Sequence, residues 1–175
     1  EKVMACMGTH ESILNFDSAN FEESRLRIVR AASDPWRVHW VHVDLGLTRD
    51  HAGIVMGHVP KFIKKSRGKK VFETLPFVKI DFALNIMPPK NGEIEFSKIR
   101  ELIYYLIDHG INIRCVSLDS FQSSDTIQQL RRKGILSGVF SVDKDPKAYL
   151  CLRETFFDQR IAVPYHERLI EELRF

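Results

Sequence analysis

From Trp36 to Ile86 the chain is written almost wholly in strand periodicity, and from Phe96 onward helix and strand patterns alternate. That change of pattern constrains the fold more than any other feature. RVHWVHVDLG (37–46) alternates branched, aromatic and polar side chains, and AGIVMGHV (52–59) follows after a short LTRD turn, which predicts an antiparallel hairpin. VFETLPFVKIDFALNI (71–86) supplies a third strand, with Pro76 expected at an edge or bend because it has no ladder donor. After the MPPKNG break, Phe96, Ile99, Ile103, Leu106 and Ile107 recur at helical spacing, and His109-Gly110 supplies the stop. INIRCVSLD (111–119) reads as a buried strand, DTIQQLRRK as a helix stopped by Gly134, and ILSGVFSV as a strand. AYLCLRETFF reads as a helix, RIAV as a short strand and YHERLIEELRF as a last helix. Three antiparallel strands followed by helix-linked strands define a mixed α/β sheet flanked by helices. Residues 1–35 are weakly periodic, with a short helix predicted in NFEESRLRIVRAA (20–32) and ended by Asp34-Pro35. They read as a lead-in to a domain over 36–175. Glu1 and Phe175, the latter inside the last helical pattern, are the ends expected of an excised domain.

Composition serves mainly to exclude. With 175 residues, 44% hydrophobic and 28% charged, the chain can bury a core and is neither disordered nor collagen-like. Its longest apolar run, Leu102 to Ile107, falls far short of the roughly 20 residues a membrane span requires. Cys6, Cys115 and Cys151 are widely spaced, without a CxxC pair, and read as free thiols. A GxxxxGK[ST] phosphate loop is absent, and Gly68-Lys69-Lys70 lacks the required frame.

Two aspartates carry the chemistry. Asp44 closes the first strand after Val41, His42 and Val43, and Asp119 closes the first helix-flanked strand after Val116, Ser117 and Leu118. If those strands are neighbours, the carboxylates converge on a site for Mg²⁺ or Mn²⁺, which prefer hard oxygen ligands. Two such ions can clamp the attacking and leaving oxygens of a phosphodiester. The alternative is that each acid caps a turn; Asp119 precedes a helix start at Ser123 to Asp125. Asp50, six residues after Asp44, suits a turn-stabilising role or a metal role. His39 and His42 fall on opposite faces of one strand, so both cannot reach one metal, and packing or surface roles suit them and the remaining histidines.

A second feature is cationic. Lys61, Lys64, Lys65, Arg67, Lys69 and Lys70 put six positive charges into ten residues without an acid. The segment falls between the second and third strands, so it is expected to form a hairpin tip turning at Ser66-Arg67-Gly68. Beside a phosphodiester site, such a tip neutralises DNA phosphates and releases counterions; a solvated loop is the bland alternative. The whole chain carries +3, so outside this segment it sums to −3: an acidic body with one cationic projection. Arg131, Arg132 and Lys133 form a weaker cluster that suits surface decoration equally well.

The segments VHVDLGLTRDHAGIVMGHV, DFALNIMPPKNGEIEFSKIRELI, VSLDSFQSSDTIQQLRRKGI and FFDQRIAVPYHERLIEELRF, in that order, resemble the nuclease domain of the large subunit of tailed-bacteriophage terminases. The resemblance runs from about Trp36 to Phe175. It implies a ribonuclease H-like fold that cuts concatemeric viral double-stranded DNA with divalent metal held by three acids. Asp44 matches the first acid and Asp119 the second. The family's third acid lies after the segment resembling RIAVPYHERLIEELRF, which here runs to the last residue. Asp158 is the nearest in-chain candidate, and its neighbour Arg160 makes it rather a cap or ion-pair partner. The resemblance also implies a terminase ATPase domain, a small terminase subunit and a portal protein as partners, no membrane, and a host-cell cytoplasmic site of action.

Three functions therefore stand as expectations: a metal-dependent endonuclease, a non-catalytic DNA-binding module of the same fold, and an ATPase fragment. The last rests on Asp44-Leu45-Gly46-Leu47-Thr48, a DxGxT string similar to the first phosphate motif of the actin and Hsp70 ATPases. It lacks a second glycine-rich phosphate motif, and the chain is too short for paired lobes.

Overall fold

The computed structural model describes residues 2–15, 27–28, 36–45, 51–68, 70–89, 92–119, 123–142 and 146–173. A short helix α1 (Lys2–Cys6) precedes a two-stranded antiparallel ribbon, β1 (Leu14–Asn15) with β2 (Arg27–Ile28). The helix expected over 20–32 is therefore corrected at Arg27 and Ile28, which pair as a strand. The backbone there is extended, with Ile28 paired to Leu14 and Arg27 to Asn15. The other residues of that expectation lie outside the described ones.

The main sheet is built from β3 (Val38–Asp44), β4 (Ala52–Ser66), β5 (Phe72–Ile86), β6 (Asn112–Leu118), β7 (Leu136–Val139) and β8 (Ile161–Ala162). Its order is β7-β6-β3-β4-β5-β8. The pairs β3–β4 and β4–β5 are antiparallel, while β3–β6, β6–β7 and β5–β8 are parallel. Helices α2 (Phe96–Asp108) and α3 (Ser124–Arg132) make the crossovers, followed by α4 (Lys147–Phe157) and α5 (Glu167–Glu172). The mixed α/β expectation holds, and Asp44 and Asp119 end on adjacent strands. The described residues form a two-stranded ribbon and one six-stranded sheet, without the paired lobes that the ATPase reading needs.

Strand alternation decides the layers. Val41, Val43, Ile54, Met56, Phe82, Leu84, Val116 and Leu118 face one side and bury against Ile99, Leu102, Leu106, Ile127 and Leu130 of the two crossover helices. These helix positions recur three and four apart, so one face of each helix is apolar. Both helices stop in the same way. Gly110 and Gly134 take φ of 84° and 78°, a left-handed region that side chains disfavour. The following residue then bonds back across the last turn, Ile111 N–H to Leu106 O and Ile135 N–H to Leu130 O, each at 3.0 Å. That Schellman closure delivers an isoleucine into the core and aims β6 and β7 at the sheet. A second cluster, Cys6, Met7, Phe156, Ile161, Val163 and Ile170, joins α1, α4, β8 and α5. All three cysteines are free thiols, as expected.

The hairpin departs from expectation in length. β4 continues through the lysines to Ser66 and pairs with β5 up to Phe72, so Lys61, Lys64 and Lys65 sit on a strand rather than on the tip. Past the end of β4, Arg67 N–H bonds to Val71 O and Val71 N–H to Gly68 O, next to the start of β5. Two bulges interrupt the ladder, between Met56 and Gly57 and between His58 and Lys61. Pro60, which cannot donate, falls in the second. β8 covers β5 only at Val78 and Lys79, so Pro76 lies where β5 is an edge on that side, as its missing N–H requires.

Candidate metal centre

Parallel pairing of β3 with β6 sets His42 against Ser117 and Val43 against Leu118. One residue further, Asp44 and Asp119 stand side by side, and the ladder continues through Asp119 N–H to Val43 O at 3.1 Å. Neighbouring strands lie about 4.8 Å apart, so the two carboxylates rise from one end of the sheet on one face. That face is opposite the helical core, because Asp44 and His42 alternate with buried Val41 and Val43. Gly53, the register partner of Asp44, leaves the space beside it open: a Cβ there would lie 3.8 Å from the Asp44 Cβ.

Asp119 Oδ1 is buried and has no hydrogen-bond partner among the described residues. A buried carboxylate oxygen without a donor is costly, and a hard divalent cation shared with Asp44 would supply the missing charge. The residues present fit such a cation. Asp50 and Lys69 lie outside the described residues.

His42 completes the floor of the site. Its Nδ1 is hydrogen-bonded to Ser117 Oγ at 2.9 Å, and Ser117 Oγ also lies 3.3 Å from Val41 O. Burial pushes the imidazole below its ordinary pKa, against a smaller upward pull from Asp119 and then Asp44. The neutral ring packs edge-on against Phe140 at 6.3 Å. A pocket of about 240 Å³ opens beside it, walled by His42, Asp44, Val55 and Asn85 of the sheet and by His166 and Arg168 of the α5 segment. The sequence suits His42 to a packing or surface role; its shared parity with Asp44 is the available signal. Arg168 had none, since only the chain path of α5 brings it here.

A second cluster lies on the other face. His39, His58 and Asp81 are all buried and close enough to share an ion. The bulge after Met56 leaves Asp81 without a cross-strand partner, so it enters the core beside Phe82. Its Oδ2 takes a hydrogen bond from His58 Nδ1 at 2.8 Å and lies 3.7 Å from His39 Nε2. Arg37 contacts His58 Nε2 at 3.2 Å. Since arginine only donates, His58 carries its proton on Nδ1, facing Asp81. A cation would have to displace that proton and turn Nε2 into a donor aimed at Arg37. His39 Nδ1 is buried without a hydrogen-bond partner among the described residues, so this cluster is one candidate cation site and the Asp44–Asp119 end is another.

The basic segment is not beside the acids. β4 leaves the acid end at Gly53 and runs away from it; at about 3.3 Å per residue, Lys61 to Ser66 lie roughly 25 to 45 Å along the strand. Arg67 is held by Glu73 at 2.9 Å and Asp158 at 3.1 Å, and both partners raise its pKa. Lys61 Nζ sits 5.1 Å over the Phe77 ring. Lys64, Lys65 and Lys70 form no ion pair among the described residues. Asp158 is also paired with Arg160 at 3.4 Å, the expected role, and so belongs to the hairpin rather than to the acid pair.

A mixed sheet with antiparallel first strands, helix-linked parallel strands and acids ending two adjacent core strands is a ribonuclease H-like fold. The large terminase nuclease from thermophilic phage G20c shares it: its crystal structure aligns with 99% of this chain and 78% of its own, at a TM-score of 0.54 and 15% identity. The HK97 bacteriophage large terminase aligns at a TM-score of 0.49 and 12% identity over 73% of this chain, which spans 30% of that protein. No family model and no curated relative matches the chain.

Proposed function

We propose that this chain is a metal-dependent DNA endonuclease, the nuclease part of a viral genome-packaging terminase, which hydrolyses phosphodiester bonds of concatemeric double-stranded DNA. The observation that carries the reading is the donorless buried oxygen of Asp119 set beside Asp44 on one face of the sheet end. Asp44 and Asp119 hold the cation, Mg²⁺ or Mn²⁺ and two ions in the fullest form, with Asp50 as a further candidate ligand. When bound, such ions supply Lewis-acid charge that activates water and stabilises the leaving 3′-oxygen. Ser117 fixes the His42 ring, and the neutral imidazole adds no positive charge that would compete for the carboxylates. Lys61, Lys64, Lys65, Arg67, Lys69 and Lys70 belong to a separate DNA-holding surface along the hairpin. Within a packaging complex the partners would be the ATPase domain, the small subunit and the portal protein, in the host-cell cytoplasm.

Plasmid nicking with Mn²⁺ tests the reading. Asp44→Ala and Asp119→Ala each abolish nicking while leaving the thermal melt cooperative; full cutting by both variants overturns it. The distance between the lysines and the acids favours a second reading, in which the hairpin binds DNA and no chemistry occurs. Binding that persists in EDTA, with no cleavage under any divalent metal, would select it.

A further inference from the structure

The distal half of the β4–β5 hairpin has two unlike faces. Residues paired across a ladder share a face, so Phe62, Lys64 and Phe72, the last opposite Ser66, lie on one side. Ile63, Leu75 and Phe77 lie on the other, where all three are half-buried. The nearby carboxylate of Glu73 belongs to that second side, and Arg67 holds it at 2.9 Å. The first side is open to solvent. Phe62 is 67% exposed and Phe72 66%, so packing accounts for Ile63 and Phe77 but leaves these two rings in water.

Lys64 stands between them, two residues beyond Phe62 and two short of Ser66. At about 3.3 Å per residue the two rings are roughly 13 Å apart along the strand, with Lys64 midway. Lys64 makes no ion pair among the described residues, and Thr74, its register partner, is uncharged. A cation flanked by two open rings, with no carboxylate on the same face, suits a chain that carries anions along its backbone and flat faces at its side. Nucleic acid is such a chain. Inside a duplex each base face is covered by its neighbours, so only an unstacked strand offers a base to a ring while a phosphate passes the lysine.

We propose that this face of the hairpin binds single-stranded DNA, with Phe62 and Phe72 each stacking a base and Lys64 holding the phosphodiester backbone between them. The assignment rests on reading the hairpin as the DNA-holding surface, and it adds the state of the DNA taken: a frayed, gapped or otherwise unpaired strand. A duplex still meets the lysines through its phosphates, and the rings add affinity only where bases are free.

Anisotropy in EDTA tests this with two fluorescent probes, an oligothymidylate of about 12 nucleotides and a blunt duplex of similar length. Base stacking on an aromatic ring supports a loss of about fivefold or more in single-strand affinity for Phe62→Ala and again for Phe72→Ala. Duplex affinity and the thermal melt should stay as they are, and Phe62→Trp should keep single-strand binding. Unchanged oligothymidylate binding in both alanine variants overturns the stacking surface. A parallel loss on both probes overturns it as well, because the rings would then be shaping the hairpin and not meeting bases. Lys64→Gln keeps the two readings apart. Weaker binding of both probes by this variant, with the alanine variants unaffected, leaves a DNA-holding hairpin that grips phosphates alone. No binding of either probe by the unaltered chain defeats both readings.

Discussion

At the residue scale, parity along a strand does most of the sorting. His39 and His42 are three apart, so one enters the core face and the other the acid face, as their spacing requires. Burial lowers the pKa of His39, against a smaller upward pull from Asp81, and His10 and His42 shift in the same direction. The consequence for stability has a definite sign. A histidine whose folded pKa lies below the unfolded value of 6.5 binds its proton more readily when unfolded. The fold is therefore at full strength above about pH 6.5 and weakens as pH falls below it toward the folded pKa. Thermal melts at about pH 7.5 and 5 should show the decline, and His39→Leu should flatten it by removing one of the three contributions; an unchanged pH dependence in that variant would contradict the assignment. The positions of Asp44 and Asp119 at strand ends were legible in the sequence, and so was the partnership of Asp158 with Arg160. Asp81 was not. Only the bulge turns it inward, and a bulge depends on the register between two strands.

At the element scale, the β4–β5 hairpin is the decisive piece, and Gly57 sits at its hinge. A Cβ at that position would lie 2.8 Å from Lys79 O and 3.1 Å from Ile80 Cδ1, so backbone must shift to admit it. Gly57→Ala should cost about 1 to 3 kcal/mol, read by urea denaturation at unchanged m-value; full stability would mean that the bulge is not as tight as drawn. The helix stops were readable from His109-Gly110 and Gly134, because a left-handed cap is a local requirement. The length of β4 was not readable. Lysines are poor evidence for a strand, and Lys61, Lys64 and Lys65 are held extended by their partners Phe77, Thr74 and Glu73.

For the whole molecule, charge separates by distance. The acid end faces away from the core helices, and the cations occupy the distal hairpin. Neutralising Lys64, Lys65 and Lys70 together should weaken duplex binding and lower the salt slope by up to about 0.9 per lysine. Mn²⁺-dependent nicking at saturating DNA should hold, since these residues stand roughly 35 Å or more from Asp44 by strand rise. Loss of nicking at saturation would place the hairpin in the chemistry instead. No helix among the described residues is long and apolar enough to cross a membrane.

From Trp36 onward the sequence by itself determined the order of strands and helices, the face most strand residues take and the two acids that end core strands. Those follow from periodicity and local backbone preference, which act over a few residues. The tertiary structure alone decided which strands are neighbours, that the lysines run away from the acids, and that α5 returns to set Arg168 across a pocket from Asp44. Strand order, antiparallel direction and the docking of α5 are long-range choices, made by burial of whole faces, and no short window of sequence contains them.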